Sequence, residues 1–145
     1  MLFRSGGHVP RRHVVPLDCN EANFVAIAEK FLGVPYLWGG RTSFGLDCSG
    51  LVQVALTACG IPCPRDSDMQ ERALGTPLTP PFDLLRRGDL LFWKGHVAIM
   101  RDQTTIVHAN AWHMAVAIEP IRDALERIHA AGSEMTSVRR ISLPQ

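Results

Sequence analysis

Apolar residues recur at helical spacing in the first half of the chain and in short β-prone runs in the second. Phe24, Ile27, Ala28 and Phe31 fall on one helical face that Gly33 and Pro35 end, with Asp18 and Glu21 ahead of it as a capping box. Leu51, Val52, Ala55, Leu56 and Cys59 repeat the period in a second helix, predicted from Cys48 to Cys59 and stopped by Gly60 and Pro62. A short third helix is predicted around Ser67 to Leu74, before a Pro-rich loop that ends ahead of Leu84. Beyond that loop the texture changes. Leu90 to Trp93, Val97 to Met100, Thr105 to His108 and Val116 to Ile118 read as strands, separated by Lys94-Gly95, by Arg101-Asp102-Gln103 and by a longer loop. Ile121 to Ala130 reads as a short helix and Thr136 to Ile141 as a last strand.

Helices first and strands second predict an α+β fold, with N-terminal helices layered on one face of an antiparallel β-sheet, rather than alternating βαβ units. The opening segment, residues 1–17, is rich in Gly, Pro and Arg with no sustained period and reads as a linker or the tail of an upstream module. Residues 18–145 read as one domain.

Composition narrows the partners. Of 145 residues 46% are hydrophobic and 20% charged, enough apolar material for one core. Fifteen basic against fourteen acidic residues give a formal net charge of +1, which provides no field to gather nucleic acid or anionic lipid. No run approaches the roughly 20 apolar residues of a membrane span, and the first residues lack the apolar core of a signal peptide. The chain as written therefore reads as cytoplasmic, with a periplasmic or cell-envelope location expected if the N-terminus is truncated. The four cysteines, Cys19, Cys48, Cys59 and Cys63, show neither paired zinc spacing nor the density of a disulfide scaffold.

One of the four stands apart. Cys48, between Asp47 and Ser49-Gly50, begins a predicted helix, and the positive end of a helix dipole lowers a thiol's pKa. A reactive thiol needs a base, usually held by a third polar group. His96 opens one predicted strand and His108 closes the next, so a hairpin sets them side by side at one end of the sheet. Taken alone, Cys48 is also readable as a small core residue, and each histidine as a surface or core residue. Zinc on Cys48, His96 and His108 is a third reading, ranked below catalysis.

The motifs in order decide among these readings. Tyr36-Leu37-Trp38-Gly39-Gly40, Leu46-Asp47-Cys48-Ser49-Gly50-Leu51-Val52-Gln53, Gly60-Ile61-Pro62 with Pro64-Arg65, and Gln70 are followed by Arg87-Gly88-Asp89-Leu90-Leu91-Phe92, Gly95-His96-Val97-Ala98-Ile99 and Val107-His108-Ala109. The series resembles the successive motifs of NlpC/P60 cysteine peptidases from about Asn20 to Ile118.

The resemblance implies a trimmed papain-like fold and cleavage between D-glutamate, through its γ-carboxyl, and a diamino acid in peptidoglycan stem peptides. It makes Cys48 the nucleophile, His96 the base and His108 the group that orients His96. Tyr36 would stand beside the thiol and help the Cys48 amide hold the oxyanion, with a packed aromatic as its rival reading. Asp47 and Ser49 resemble a clamp for the ammonium of an unblocked N-terminal L-alanine, with Asp47 as a mere helix cap the rival. Gly40-Arg41-Thr42-Ser43-Phe44-Gly45 resembles the subgroup that takes free stem peptides, whose members often carry SH3-like modules upstream. No cofactor and no metal is implied. Cys59 and Cys63 read as packing residues, Cys19 as a helix-start residue, and His8, His13, His113 and His129 as surface or loop histidines. Trp38 and Trp112 read equally well as groove walls or packed aromatics.

Two other functions fit the same motifs. A non-catalytic peptidoglycan-binding domain would need the cysteine or the base to be lost, and both are present. An amidase or acyltransferase would use the same dyad with a different groove.

Overall fold

The computed structural model describes residues 21–79 and 84–142. The expected linker 1–17, Asp18 of the expected capping box, Cys19, His8 and His13 lie outside them. The first helix, α1 (Phe24–Glu29), is capped by Asn23, whose side chain accepts the Ala26 N–H, so its start lies beyond the Asp18–Glu21 box. A two-residue hairpin, β1 (Arg41–Thr42) and β2 (Gly45–Leu46), folds the loop before the cysteine back on itself. Then come α2 (Cys48–Ala58), α3 (Ser67–Ala73) and a two-residue strand β3 (Thr76–Pro77). The sequence predicted the two helices and read β1, β2 and β3 as loop, because two-residue strands carry no alternation to detect.

The second half is β4 (Asp89–Trp93), β5 (His96–Met100), β6 (Thr105–Asn110), β7 (Ala115–Pro120), α4 (Ile121–Ala130) and β8 (Met135–Arg140). The strands form one antiparallel sheet in the order β3-β8-β4-β5-β6-β7. A two-residue turn, Lys94-Gly95, joins β4 to β5; Gly95 takes φ 77°, a left-handed backbone that glycine accepts without strain. Strands β6 and β7 run two residues beyond their predicted ends, which brings Asn110 and Glu119 into the ladder.

The sheet is buried on both faces. Leu90, Phe92, Val97, Ile99, Val107 and Ala109 pack with Phe24, Ile27, Ala28, Leu51, Val52, Ala55 and Leu56 of α1 and α2. The alternate residues Leu91, Trp93, Ala98, Met100 and Ile106 pack with Ala124 and, at its edge, Ile121, Leu125 and Ile128 of α4. The N-terminal helices lie on one face as expected, and the C-terminal α4 adds a cover on the other. Its signal was in the strands, which read as continuous apolar runs rather than clean alternation, as strands buried on both sides do. At the far end of β4, buried Asp89 takes two hydrogen bonds from Arg140 of β8 and one from the Arg86 N–H, pinning the central strand to its neighbour.

Candidate active site

Asp47 organises the start of α2. It is the N-cap, and its Oδ1 accepts the Gly50 N–H at 2.7 Å while Oδ2 accepts the Gly39 N–H at 2.8 Å. Arg65, from the loop before α3, closes a bidentate bridge on both oxygens at 2.9 and 2.6 Å and also donates to the Ser49 hydroxyl and the Gly40 carbonyl. Gly50 lies so close to the Gly40 carbonyl that a β-carbon there has no room, which locks the Tyr36–Gly40 loop onto the helix. Gln70 of α3 is wholly buried and donates to the carbonyls of Ser49 and Pro64, fixing the loop that carries Arg65. Sequence reasoning placed Arg65 and Gln70 in motifs and gave neither a role.

Cys48 opens α2 with its side chain almost covered. Its sulfur lies 3.9 Å from the Gly95 carbonyl, and the Val97 N–H favours its charged form, so the backbone on either side of His96 acts on it. The thiol is thus held by the chain that carries His96 rather than bonded to the His96 ring. Tyr36, Trp38, Gly39, Asp47, Ser49, Arg65, Asp66 and Ser67 surround Cys48 and Gly95 in a cavity of about 270 Å³. Tyr36 is held there by its N–H, which donates to the Met114 carbonyl at 2.9 Å.

His96 and His108 meet as the hairpin predicts: Nε2 of His96 lies 2.8 Å from Nδ1 of His108. Their contact is diagonal, because the β5–β6 register pairs Ile99 with Val107 and Met100 with Ile106. Behind them stand two residues that sequence reasoning missed. His108 Nε2 lies 2.6 Å from Oε1 of Glu119 on β7, and Arg127 of α4 donates to both Glu119 oxygens at 2.6 and 2.7 Å. Arg127 in turn stacks over the Trp112 ring at 5.3 Å. The signal for Glu119 was a carboxylate within the apolar run from Val116, which a buried strand tolerates only with partners.

A second cavity of about 220 Å³ opens on this side, lined by His96, His108, Asn110, Trp93, Trp112, Lys94 and Arg127. Trp38 is 85% exposed and Trp112 72%, so both are cavity walls rather than core. Cys59 is buried in the core and Cys63 packs against it. His129 is exposed beside Glu134, while His113, in the β6–β7 turn, bonds Asn110 and lies 4.0 Å from Glu119.

Burial disfavours charge on each member of the pair taken singly. It pushes the Cys48 thiol up, with Asp47 adding to the rise and the Val97 and Ser49 N–H groups opposing it. Burial thus acts against the fall in thiol pKa expected at a helix start. Burial also brings His96 down to about 3, helped by His108 and Arg127 and opposed by Glu119. His108 is lowered by burial as well, although the Glu119 hydrogen bond works the other way. Burial would raise Glu119, but its bonds from His108 and Arg127 prevail and take it down to about 2. Taken singly, each group is held toward its neutral form by burial.

Among the described residues, the metal-type donor atoms that converge within 4.8 Å are those of His108, His113 and Glu119, not the Cys48, His96 and His108 of the zinc reading. Both Glu119 oxygens there already receive Arg127.

The site and fold have relatives. The chain is 40% identical over 89 residues to a dipeptidyl-peptidase 6 of Lysinibacillus sphaericus, covering 61% of this chain and 32% of that protein. It is 33% identical over 107 residues to a γ-D-glutamyl-L-lysine dipeptidyl-peptidase of Bacillus cereus, covering 68% and 31%. The chain thus spans about a third of the length of these relatives. A crystal structure of an NlpC/P60 family protein from Bacillus cereus superposes with a TM-score of 0.71 at 32% identity, over 84% of this chain and 40% of that one. The papain-like arrangement of helices on an antiparallel sheet is common to both. The model of the NlpC/P60 family matches residues 33–132, which hold Cys48, both histidines, Glu119 and Arg127, and the chain belongs to that family.

Proposed function

We propose that the domain is a cysteine peptidase that hydrolyses the bond between γ-D-glutamate and a diamino acid in peptidoglycan stem peptides, taking free peptides with an unblocked N-terminal L-alanine. The observation that carries this reading is the Cys48 sulfur seated at a helix start against the Gly95 carbonyl, with His96 next in the chain and hydrogen-bonded to His108.

In this reading the Cys48 proton passes to His96 as the sulfur attacks the γ-carbonyl, and the Cys48 amide and the Tyr36 hydroxyl receive the developing oxyanion. Collapse of the tetrahedral intermediate expels the amine of the diamino acid, which takes the proton from His96. Water, deprotonated by the same imidazole, then releases the acyl group. The stem-peptide substrate is supported by the activity named for the Bacillus cereus relative.

The unblocked N-terminus is supported by the acidic end of the Cys48 cavity. Asp47 and Ser49 line it, and Arg65 pairs the Asp47 carboxylate. Asp66 lines the same wall and makes no side-chain cap bond to α3, so a second acidic side chain stands beside that pair. An ammonium is the group such a wall suits.

Mass spectrometry of products from L-Ala-γ-D-Glu-diamino acid tripeptides, with diaminopimelate or lysine third, and from intact murein tests the proposal. Release of L-Ala-γ-D-Glu from the free tripeptides is expected, with little product from murein. Cleavage elsewhere in the peptide, or none, would overturn it.

A further inference from the structure

We propose that Glu119, clamped by Arg127, is the positioning residue that fixes the protons of both histidines, leaving Nδ1 of His96 as the bare nitrogen that takes the Cys48 proton. The inference rests on the peptidase reading for its catalytic meaning, but its proton arrangement follows from the hydrogen bonds and the burial of His108.

An ionised carboxylate only accepts. Glu119 receives both Nη groups of Arg127 and lies 2.6 Å from His108 Nε2, so that nitrogen must carry the proton. A neutral His108 then has its lone pair on Nδ1, 2.8 Å from His96 Nε2, which must donate in turn. A neutral His96 with its proton on Nε2 has its lone pair on Nδ1. The same arrangement survives when His96 takes the thiol proton, because its Nε2–H goes on donating to His108 while the new proton sits on Nδ1. The sulfur keeps its electron pair and no other bond changes.

The reverse arrangement, with the His96 proton on Nδ1, would need both His108 nitrogens to donate and hence a charged His108. His108 is buried, and burial holds its pKa below the ordinary value in spite of Glu119. The charged and titratable groups around the pair are Glu119 on β7, Arg127 on α4, His113 in the β6–β7 turn and Lys94 in the β4–β5 turn. Without a carboxylate at 119 nothing dictates which His108 nitrogen is protonated, and His96 would divide between its two tautomers.

The test is long-range ¹H–¹⁵N spectroscopy of histidine-labelled protein beside steady-state kinetics, with Glu119→Gln as the variant. The wild type is expected to show His96 protonated on Nε2 and bare on Nδ1. Glu119→Gln should show a mixed His96 tautomer, with kcat lowered about 10- to 100-fold and KM within about twofold. If Glu119→Gln does not fold, Arg127→Lys, which removes one of the two bonds to the carboxylate, is read in the same way and should give a smaller loss of the same kind. A wild-type His96 protonated on Nδ1 overturns the proposal whatever the variants do, as does a folded variant whose tautomer and kcat are unchanged. The spectra need no substrate, so a wrong substrate assignment would stop the kinetics and leave the tautomer result standing.

Discussion

Arg65 grips Asp47 through two parallel hydrogen bonds, so the residue before the candidate nucleophile is anchored from a different element than the helix it caps. Arg65→Met would leave a largely buried carboxylate with only N–H and hydroxyl donors. We expect a loss of about 2–3 kcal/mol at neutral pH, since a partly buried charge is left without its cation. Burial alone would raise the Asp47 pKa, yet Arg65 and the Gly50 and Gly39 amides hold it below the ordinary carboxylate value. Its stabilising contribution is therefore complete above the unfolded value near 4 and is lost as the pH falls through the folded one. Urea unfolding at pH 7 and at lower pH should show the gap between wild type and variant shrinking below about pH 4. A gap that does not change with pH would assign Arg65 to packing rather than charge.

The chain announced its helices by their period and its longer strands by their apolar runs, and it announced Cys48, His96 and His108 because their motifs surround them. What it concealed depended on register and on distance in sequence. Glu119 matters through a ladder that sets β7 beside β6, and Arg127 through a helix whose side of the sheet no local pattern specifies. The separation of 18 positions between Asp47 and Arg65 likewise hides their pairing. Burial, which acts against the expected fall in the thiol pKa, was hidden for a related reason. A helix start is local and legible, whereas the burial that opposes it comes from Gly95, Val97 and the cavity walls, brought there by the fold.

Cys48 supplies a chemical test of that opposition. With burial raising its thiol and keeping His96 neutral, its alkylation by iodoacetamide should go on accelerating past about pH 9, without a plateau in the acid range. A plateau between about pH 5 and pH 8 would mean that a thiolate–imidazolium pair already exists at rest. Burial also raises Cys59, and takes Cys63 to about 12, so both should label more slowly than an ordinary thiol. Cys48→Ala and Cys48→Ser are expected to abolish hydrolysis, while Cys59→Ala and Cys63→Ala leave most of it. Comparable losses at Cys59 would refute the choice of nucleophile.

The two histidines should separate under amide substitution. If His96 takes the thiol proton, His96→Asn is expected to leave no measurable hydrolysis. His108→Gln keeps a polar group between His96 and Glu119, able to accept from one side and donate to the other, and should retain measurable activity. Matching losses in kcat for the two variants would show that His108 does more than orient its neighbour.

Substrate polarity is the sharpest question left by the Cys48 cavity. If its acidic wall receives a free ammonium, a stem peptide beginning with unblocked L-alanine should be cut much faster than the same peptide acetylated at that amine or joined there to the sugar. Acetylation removes the charge and leaves a carboxylate facing an apolar methyl. A charge-assisted hydrogen bond is worth roughly 1.5–3 kcal/mol, so kcat/KM should differ by about tenfold to a hundredfold. The Asp47 oxygens are shared with Arg65, whereas Asp66 carries no such bridge, so Asp66→Asn should erase most of this preference while the acetylated peptide is cut at its former rate. Asp47→Asn should do more, because it also weakens the helix cap and the Arg65 bridge, and so should slow both peptides. Equal wild-type rates on blocked and free peptides would remove the ammonium clamp and point to intact cell wall as the substrate.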